Sequence, residues 1–434
     1  MATSSKIHLE ASQQPEFFVK GIGADTADTA SELLQQNHEK HHIFFNQSGF
    51  HNHIVHHLLT LFALNATPAE LKKGYDDNAS YQRPPVPLEP EIVENMEKDW
   101  EKYLGKEKYY QDFLAFFQDK IDKQGWQDVL NEYVFKGDER ADDMLVRMFS
   151  GFLHPIIHLG FGVEFEQPAI IAEALAQAAV HGNWIAPLFI ESEKAAKKDG
   201  GVQKTVIQLL EEIKANEKIT AAVRWEDGNK IRDGLLKRAP EDIIKAVSQY
   251  TVREEELEEK TAEHINAVIY YTAASQKPPH QIKFDFYYMH CVNSSIFFSR
   301  FLTAPWLSTA NKVRLLEWKV RIDLAMYASR KSPTLLLEEI SEYKNNASWE
   351  DIFARVKHYP DDGHASKLVR AIAHGEKACA PWDGKDGWPI KGNMWRKLGN
   401  MAIDSVEVGD PTWVRSCGFD EAWEGIPERE RPRL

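Results

Sequence analysis

Apolar residues return every three to four positions through most of this chain, which is the spacing of a helix with one buried face. Between residues 90 and 104 the stripe is Ile92, Met96, Trp100 and Tyr103, and residues 256–274 and 308–330 carry the pattern over several turns. Helix ends are marked as well. Thr67-Pro68 with Glu70 has the N-cap, N1 and N3 residue types, and Ser308 is an N-cap before a long run. The alanine- and leucine-rich segment 168–181 stops at Gly182, a residue suited to the position after a helix. Strand-like stretches are short and confined to IHLE at 7–10 and EFFVKG at 16–21. The proline-bearing breaks at 81–90 and 275–283 read as loops between helices, and the charged run 253–260 reads as a solvated helix face. The expected fold is all-α: a large single helical domain over 1–434 with few or no strands and a peripheral segment at 1–40. Two packed lobes are the alternative.

Composition narrows the class of function. With 434 residues the chain can bury a large core, and its net charge of −14 repels phosphate backbones and anionic lipid. Neither nucleic acid nor a membrane is therefore expected as a partner, and no run of about 18 apolar residues suggests a spanning helix. Cys291, Cys379 and Cys417 are far apart and form no CxxC pair, so a disulfide scaffold and a zinc ribbon are not expected. A reducing compartment follows. The first thirty residues lack an apolar core of the signal-peptide kind, so the expected location is cytoplasmic. Pro432-Arg433-Leu434 loosely resembles a peroxisomal address.

Common cofactor and nucleophile motifs are missing. Gly21-Ile22-Gly23 and the GFGVEF stretch at 160–165 do not continue as dinucleotide-binding fingerprints. There is no P-loop, GxSxG or HExxH, and a single Glu39/His42 pair falls short of the two Glu-x-x-His pairs of a di-iron bundle.

Histidine is what remains. The chain has 17, seven of them between His38 and His57. His53 and His57 are four apart before an apolar stripe, and His154 and His158 repeat the spacing in GFLHPIIHLGFGVE. His290 lies in the apolar FDFYYMHCVNSSIFF, while His364 and His374 each precede a lysine by three, Lys367 and Lys377. A lone histidine in an apolar helix is usually a satisfied core residue. Several such helices together change the balance, because each buried imidazole has a donor and an acceptor to satisfy and a metal ion takes several at once.

In combination, HNHIVHHLL, HPIIHLGFGVE, HCVNSS and DGHASKLVRA resemble the questin-oxidase-like family over residues 40 to 400. The resemblance implies a non-haem Fe(II) oxygenase that opens an anthraquinone-type ring with O2 in a Baeyer–Villiger-like outcome, within aromatic polyketide metabolism. It implies four histidines and a carboxylated lysine as ligands, with NADPH as external reductant if one is consumed. Matched position by position, these are His53 (of Asn52-His53), His154, His290 and His364, with Lys367 as the lysine. His56 and His57 leave the register of the first element open, His158 stands at a variable place, and His374 with Lys377 offers a second His-x-x-Lys. The lysine reading has a chemical basis: an ammonium repels a cation, whereas a neutral buried amine adds carbon dioxide to give an anionic carbamate. A zinc hydrolase and a non-catalytic helical binding protein are the competing readings.

Overall fold

The computed structural model describes residues 1–198 and 200–429. Among them are 22 α-helices and no strand, only isolated bridges such as Phe44 with His51. No single helix is long and apolar enough to cross a membrane. Pro432-Arg433-Leu434 lies outside the described residues.

The two stretches with strand character bond elsewhere. The amides of Ile7, His8 and Leu9 donate to Gln35 Oε1, Gln167 Oε1 and Ser31 Oγ. Val19 N donates to Ala63 O, and Glu16 N to the Glu164 carboxylate. Side-chain and helix-end acceptors thus take the place of a strand partner. The first forty residues are packed in, with Ile7, Leu9, Ala30 and Leu34 buried. Caps fall where the residue types place them: Thr67 and Glu70 form the reciprocal capping pair, and Ser308 Oγ accepts from Asn311 N. The stripe at 90–104 forms two short helices, Pro90–Asn95 and Trp100–Tyr103, instead of one.

Two compact units are present: Met1–Asn183 with Thr303–Leu307 and Lys357–Arg370, and the rest from Trp184 onward. In the first, helix Pro168–Val180 packs on Ser150–Glu164 and Tyr110–Gln124. Its alanines permit close approach, and Gly162 completes it: a Cβ there would stand 2.7 Å from Ile171 Cγ1 and 2.9 Å from Ile171 N. Helix Glu139–Met148 meets Ser150–Glu164 at a 96° bend. The bend is made by Gly151, Phe152 and Leu153, all left-handed at φ 54°, 54° and 70°. Right-handed helix resumes after them, so Pro155 falls in a first turn, where its missing N–H costs nothing. In the second unit, helices Leu257–Ala274, Phe286–Thr303 and Thr309–Ser329 are buried over most of their surface.

A buried ion pair ties the first unit together. Arg370 pairs with Glu164, Nη1 to Oε2 at 3.1 Å, and its Nε and Nη2 donate to Phe17 O at 3.1 and 3.0 Å. Both side chains are nearly inaccessible. Glu164→Ala would strand the guanidinium, and breaking a buried pair from one side costs about 3–5 kcal/mol. Removing the exposed Lys73–Asp77 pair should cost about 0.3–0.5 kcal/mol. Denaturant unfolding of the two variants checks the contrast.

Candidate metal centre

His53 is the N-cap of helix Ile54–Ala63, and its carbonyl accepts from His57 N at 2.9 Å. Asn52 fixes this entry: its Oδ1 accepts from Ile54 N at 2.9 Å and its Nδ2 donates to Asn37 Oδ1 at 2.8 Å. The rings of His53 and His57 nevertheless take different surroundings, His53 at Asp362 and His57 at Gly74. The His57 ring packs at Gly74, whose Cβ would lie 3.3 Å from His57 Cε1. His154 opens the right-handed part of its helix after the left-handed turn. His290 lies in the first turns of Phe286–Thr303, and His364 begins His364–Cys379.

One ligand atom from each of His53, His154, His290 and His364 lies within 4.8 Å of the others, and all four residues are buried. Which atom this is follows from the hydrogen bonds. His53 Nδ1 lies 2.8 Å from Asp362 Oδ2, and His364 Nδ1 bonds the other oxygen of that carboxylate. His154 Nδ1 lies 2.6 Å from Gly151 O, and His290 Nδ1 lies 2.7 Å from Phe286 O. Each Nδ1 faces an acceptor and so carries the proton, which leaves Nε2 with a lone pair. His53 Nε2 and His154 Nε2 are 2.8 Å apart. Two lone pairs at that distance repel unless a cation or a shared proton lies with them. Burial, outweighing the nearby Asp362, lowers the His53 pKa and holds His364 down at about 3, so both are neutral bases near neutrality.

Lys367 is one turn beyond His364 and buried. Burial, opposed by Asp362 and Asp361, brings its amine down to about 8. Among the described residues no hydrogen bond or salt bridge reaches its Nζ. Asp361, raised to about 7 by burial and then by Asp362, caps the helix by accepting from Gly363 N at 2.7 Å and Ala365 N at 2.8 Å. Lys377 is exposed, and His374, although buried, is not in the four-histidine group. Four neutral nitrogen donors, with Nδ1 protons on a carboxylate or carbonyls, fit a divalent Fe or Zn ion.

Three further histidines form a second system with Glu173. His56 Nε2 meets His158 Nδ1 at 3.1 Å, and His158 Nε2 meets Glu173 Oε2 at 2.8 Å. Glu173 Oε1 meets His38 Nδ1 at 2.6 Å. Burial would raise the Glu173 carboxyl, but hydrogen bonds from His158 and His38 prevail and hold it at about 2. His38 is thereby tied into this chain, and His42 is fully buried.

Sequence reasoning missed Asp362, the Gly151 carbonyl and Glu173. Asp361-Asp362-Gly363 ahead of a helix is a capping signal, and it could have drawn attention to the carboxylates beside His364. A left-handed turn holding Phe and Leu leaves no comparable trace.

The questin oxidase-like family model matches residues 50–372, a span containing all five expected ligands and neither His374 nor Lys377. The chain is similar to a Baeyer–Villiger monooxygenase of Cryptosporiopsis sp., at 42% identity over 97% of this chain and 98% of the relative. It is 39% identical to a Baeyer–Villiger oxidase of Pestalotiopsis fici over 92% and 93% of the two chains. An oxidoreductase of Aspergillus parasiticus is 36% identical over 99% and 95%.

Asp362→Ala should weaken divalent-metal binding about 10–100-fold, the usual cost of losing a partner that orients a ligand. Competition against a chromogenic chelator measures it. Gly151→Ala should lower metal affinity and thermal stability together, because its Cβ would fall 2.7 Å from His181 Cε1 and 3.0 Å from His51 Cε1.

Proposed function

This chain belongs to the questin oxidase-like family and is an oxidoreductase of the oxygenase class, and from that premise we propose that it is a non-haem iron enzyme cleaving a ring C–C bond of an anthraquinone-type polyketide. The observation that carries the proposal is the convergence of His53, His154, His290 and His364 with every Nδ1 held from outside. Lys367, as its carbamate, is the fifth ligand in this reading. Its burial and lowered pKa favour the neutral amine that reacts with carbon dioxide.

Iron held by these residues would supply the one-electron chemistry that lets dioxygen react with a closed-shell aromatic molecule. The protein's own part is to hold the ligands. Asp362 fixes two imidazoles at once, and the Gly151 and Phe286 carbonyls fix the other two. In a Baeyer–Villiger outcome, one oxygen atom enters between a ring carbonyl carbon and its neighbour, so that C–C bond is replaced by C–O. The second oxygen then leaves as water, with two electrons from a reductant such as NADPH and two protons. His56, His158, Glu173 and His38 form an unbroken hydrogen-bond chain able to carry a proton. If both oxygen atoms stay in the product, no external reductant is consumed.

Elemental analysis of purified protein should find about one iron per chain, and rigorous chelation should abolish oxygen uptake with an anthraquinone. Full activity in the chelated protein, or a stoichiometric flavin, overturns the proposal; zinc with hydrolytic activity favours the hydrolase reading. Lys367→Ala should lose activity, with partial recovery in formate or acetate, whereas Lys377→Ala should do much less. Iron loss in Lys377→Ala but not in Lys367→Ala would move the site to His374.

A further inference from the structure

Few large aromatic side chains in this protein are exposed, which makes those few informative. Among the described residues, the large aromatic side chains left exposed are Phe50 at 46%, Tyr81 at 43%, Phe152 at 36% and Trp225 at 40%. Three of these four are tied to the surroundings of the histidine cluster. Phe50 precedes His53 by three residues and adjoins His51, whose ring stacks on His154 at 3.9 Å and 7°. Phe152 precedes His154 by two, in the left-handed turn whose Gly151 lies against His51 and His181. Tyr81 Oη donates to Asn78 Oδ1 at 2.5 Å, and Asn78 Nδ2 donates to Asp361 O at 3.1 Å, the residue beside Asp362.

These rings are placed by local structure. Phe44 bridges to His51 and Phe45 N donates to Phe50 O at 2.8 Å, so residues 44–51 form a tight hairpin loop. Phe45 links two of the exposed rings, 6.0 Å from Phe50 and 5.2 Å from Tyr81 between centroids. Phe152 is held outward at φ 54°, a conformation that disfavours every residue but glycine. Both the exposure and the backbone conformation are unfavourable for folding. The Asp362 side chain, bonded to His53 and His364, keeps 28% of its exposure, so the carboxylate that holds two of the buried rings reaches the surface.

We propose that Phe50, Tyr81 and Phe152 form the stacking face that receives a planar fused-ring substrate beside the histidine cluster, and that they set the preference for fused over isolated rings. The inference rests on the proposed substrate class and names the residues that would select it. A flat polycycle suits the face because offset and edge-on ring contacts are tolerant of substituents, whereas an aliphatic substrate gains nothing specific from them. Charge supports a neutral aromatic over an anionic one, since Asp361 and Asp362 lie next to Tyr81 and raise its pKa after the larger effect of burial.

The test is equilibrium binding of 1,8-dihydroxyanthraquinone to the full chain under argon, read by fluorescence quenching, so that no turnover is involved. Phe50→Ala, Tyr81→Ala and Phe152→Ala should each weaken binding about 3- to 10-fold, the scale of one lost aromatic contact. Tyr81→Phe and Phe50→Tyr should bind as the parent does, and metal content and melting temperature should stay unchanged in all five. Benzophenone, with two separate rings, should bind more weakly than the anthraquinone to the parent and lose less in the variants. Alanine variants within twofold of a parent that binds the anthraquinone overturn this inference and leave the proposed function standing. Weaker binding accompanied by loss of metal or of melting temperature also overturns it, in favour of a structural role. A parent that binds no anthraquinone overturns the substrate class and this inference with it.

Discussion

Neutral imidazoles can share one small space only when something outside that space takes the Nδ1 proton of each. Otherwise the ring turns over and directs an N–H, not a lone pair, into the centre. This protein meets that demand with three acceptors of different origin: a carboxylate, a carbonyl at a left-handed turn, and a carbonyl one turn back along a helix. Several local features follow from it. The bend at residues 151–153 spends backbone energy, about 1–2 kcal/mol for each non-glycine left-handed residue, and it presents the Gly151 carbonyl to His154. The turn before His364–Cys379 places two aspartates side by side, one capping the helix and the other holding two rings. With the rings fixed this way the facing Nε2 lone pairs repel one another, and a cation bound among them would offset that repulsion.

Much of the fold was legible because helix periodicity and capping are local properties. The Thr67–Glu70 box and the Ser308 cap need only their own neighbours to form. The N-terminal segment was misread because IHLE and EFFVKG have strand composition, while the acceptors for their amides lie on Gln35, Ser31, Gln167 and Glu164, far along the chain. In the site, the types and positions of the four gathered histidines could be put forward from their motifs. Periodicity alone pointed to His53 with His57 as one face, but the His57 ring packs at Gly74 and is not in the four-histidine group. The outer acceptors were not legible. Two of them are backbone carbonyls, which have no sequence signature, and Asp362 reads as an ordinary solvated turn residue.

The abundance of histidine has a structural explanation that does not require every ring to be a ligand. The same device occurs twice: one carboxylate bonded to two imidazoles through its two oxygens. Asp362 does this for His53 and His364, and Glu173 does it for His158 and His38. The outcomes differ in what the other nitrogen meets. Behind Asp362 the free nitrogens face further lone pairs, a set that could hold a cation. Behind Glu173, His158 Nδ1 meets His56 Nε2, and one hydrogen satisfies both. His158 is thus kept from the centre by a complete set of partners.

Charge carries the argument one step further. The four converging nitrogens are neutral, and Asp362 stands one bond away from the space they surround. Lys367 adds a potential positive charge in the same neighbourhood, where it lowers the pKa of His53, His57 and His364 behind the larger effect of burial. A protonated Lys367 would therefore oppose a divalent ion and bear its own desolvation with no hydrogen bond in return. Loss of the proton removes both penalties. In the proposed reading, carbon dioxide addition would go beyond this, turning the amine into an anionic oxygen donor with the negative charge that the imidazoles lack. The burial of Lys367 is costly for an ammonium, and a carbamate beside a cation, as proposed, would remove that cost.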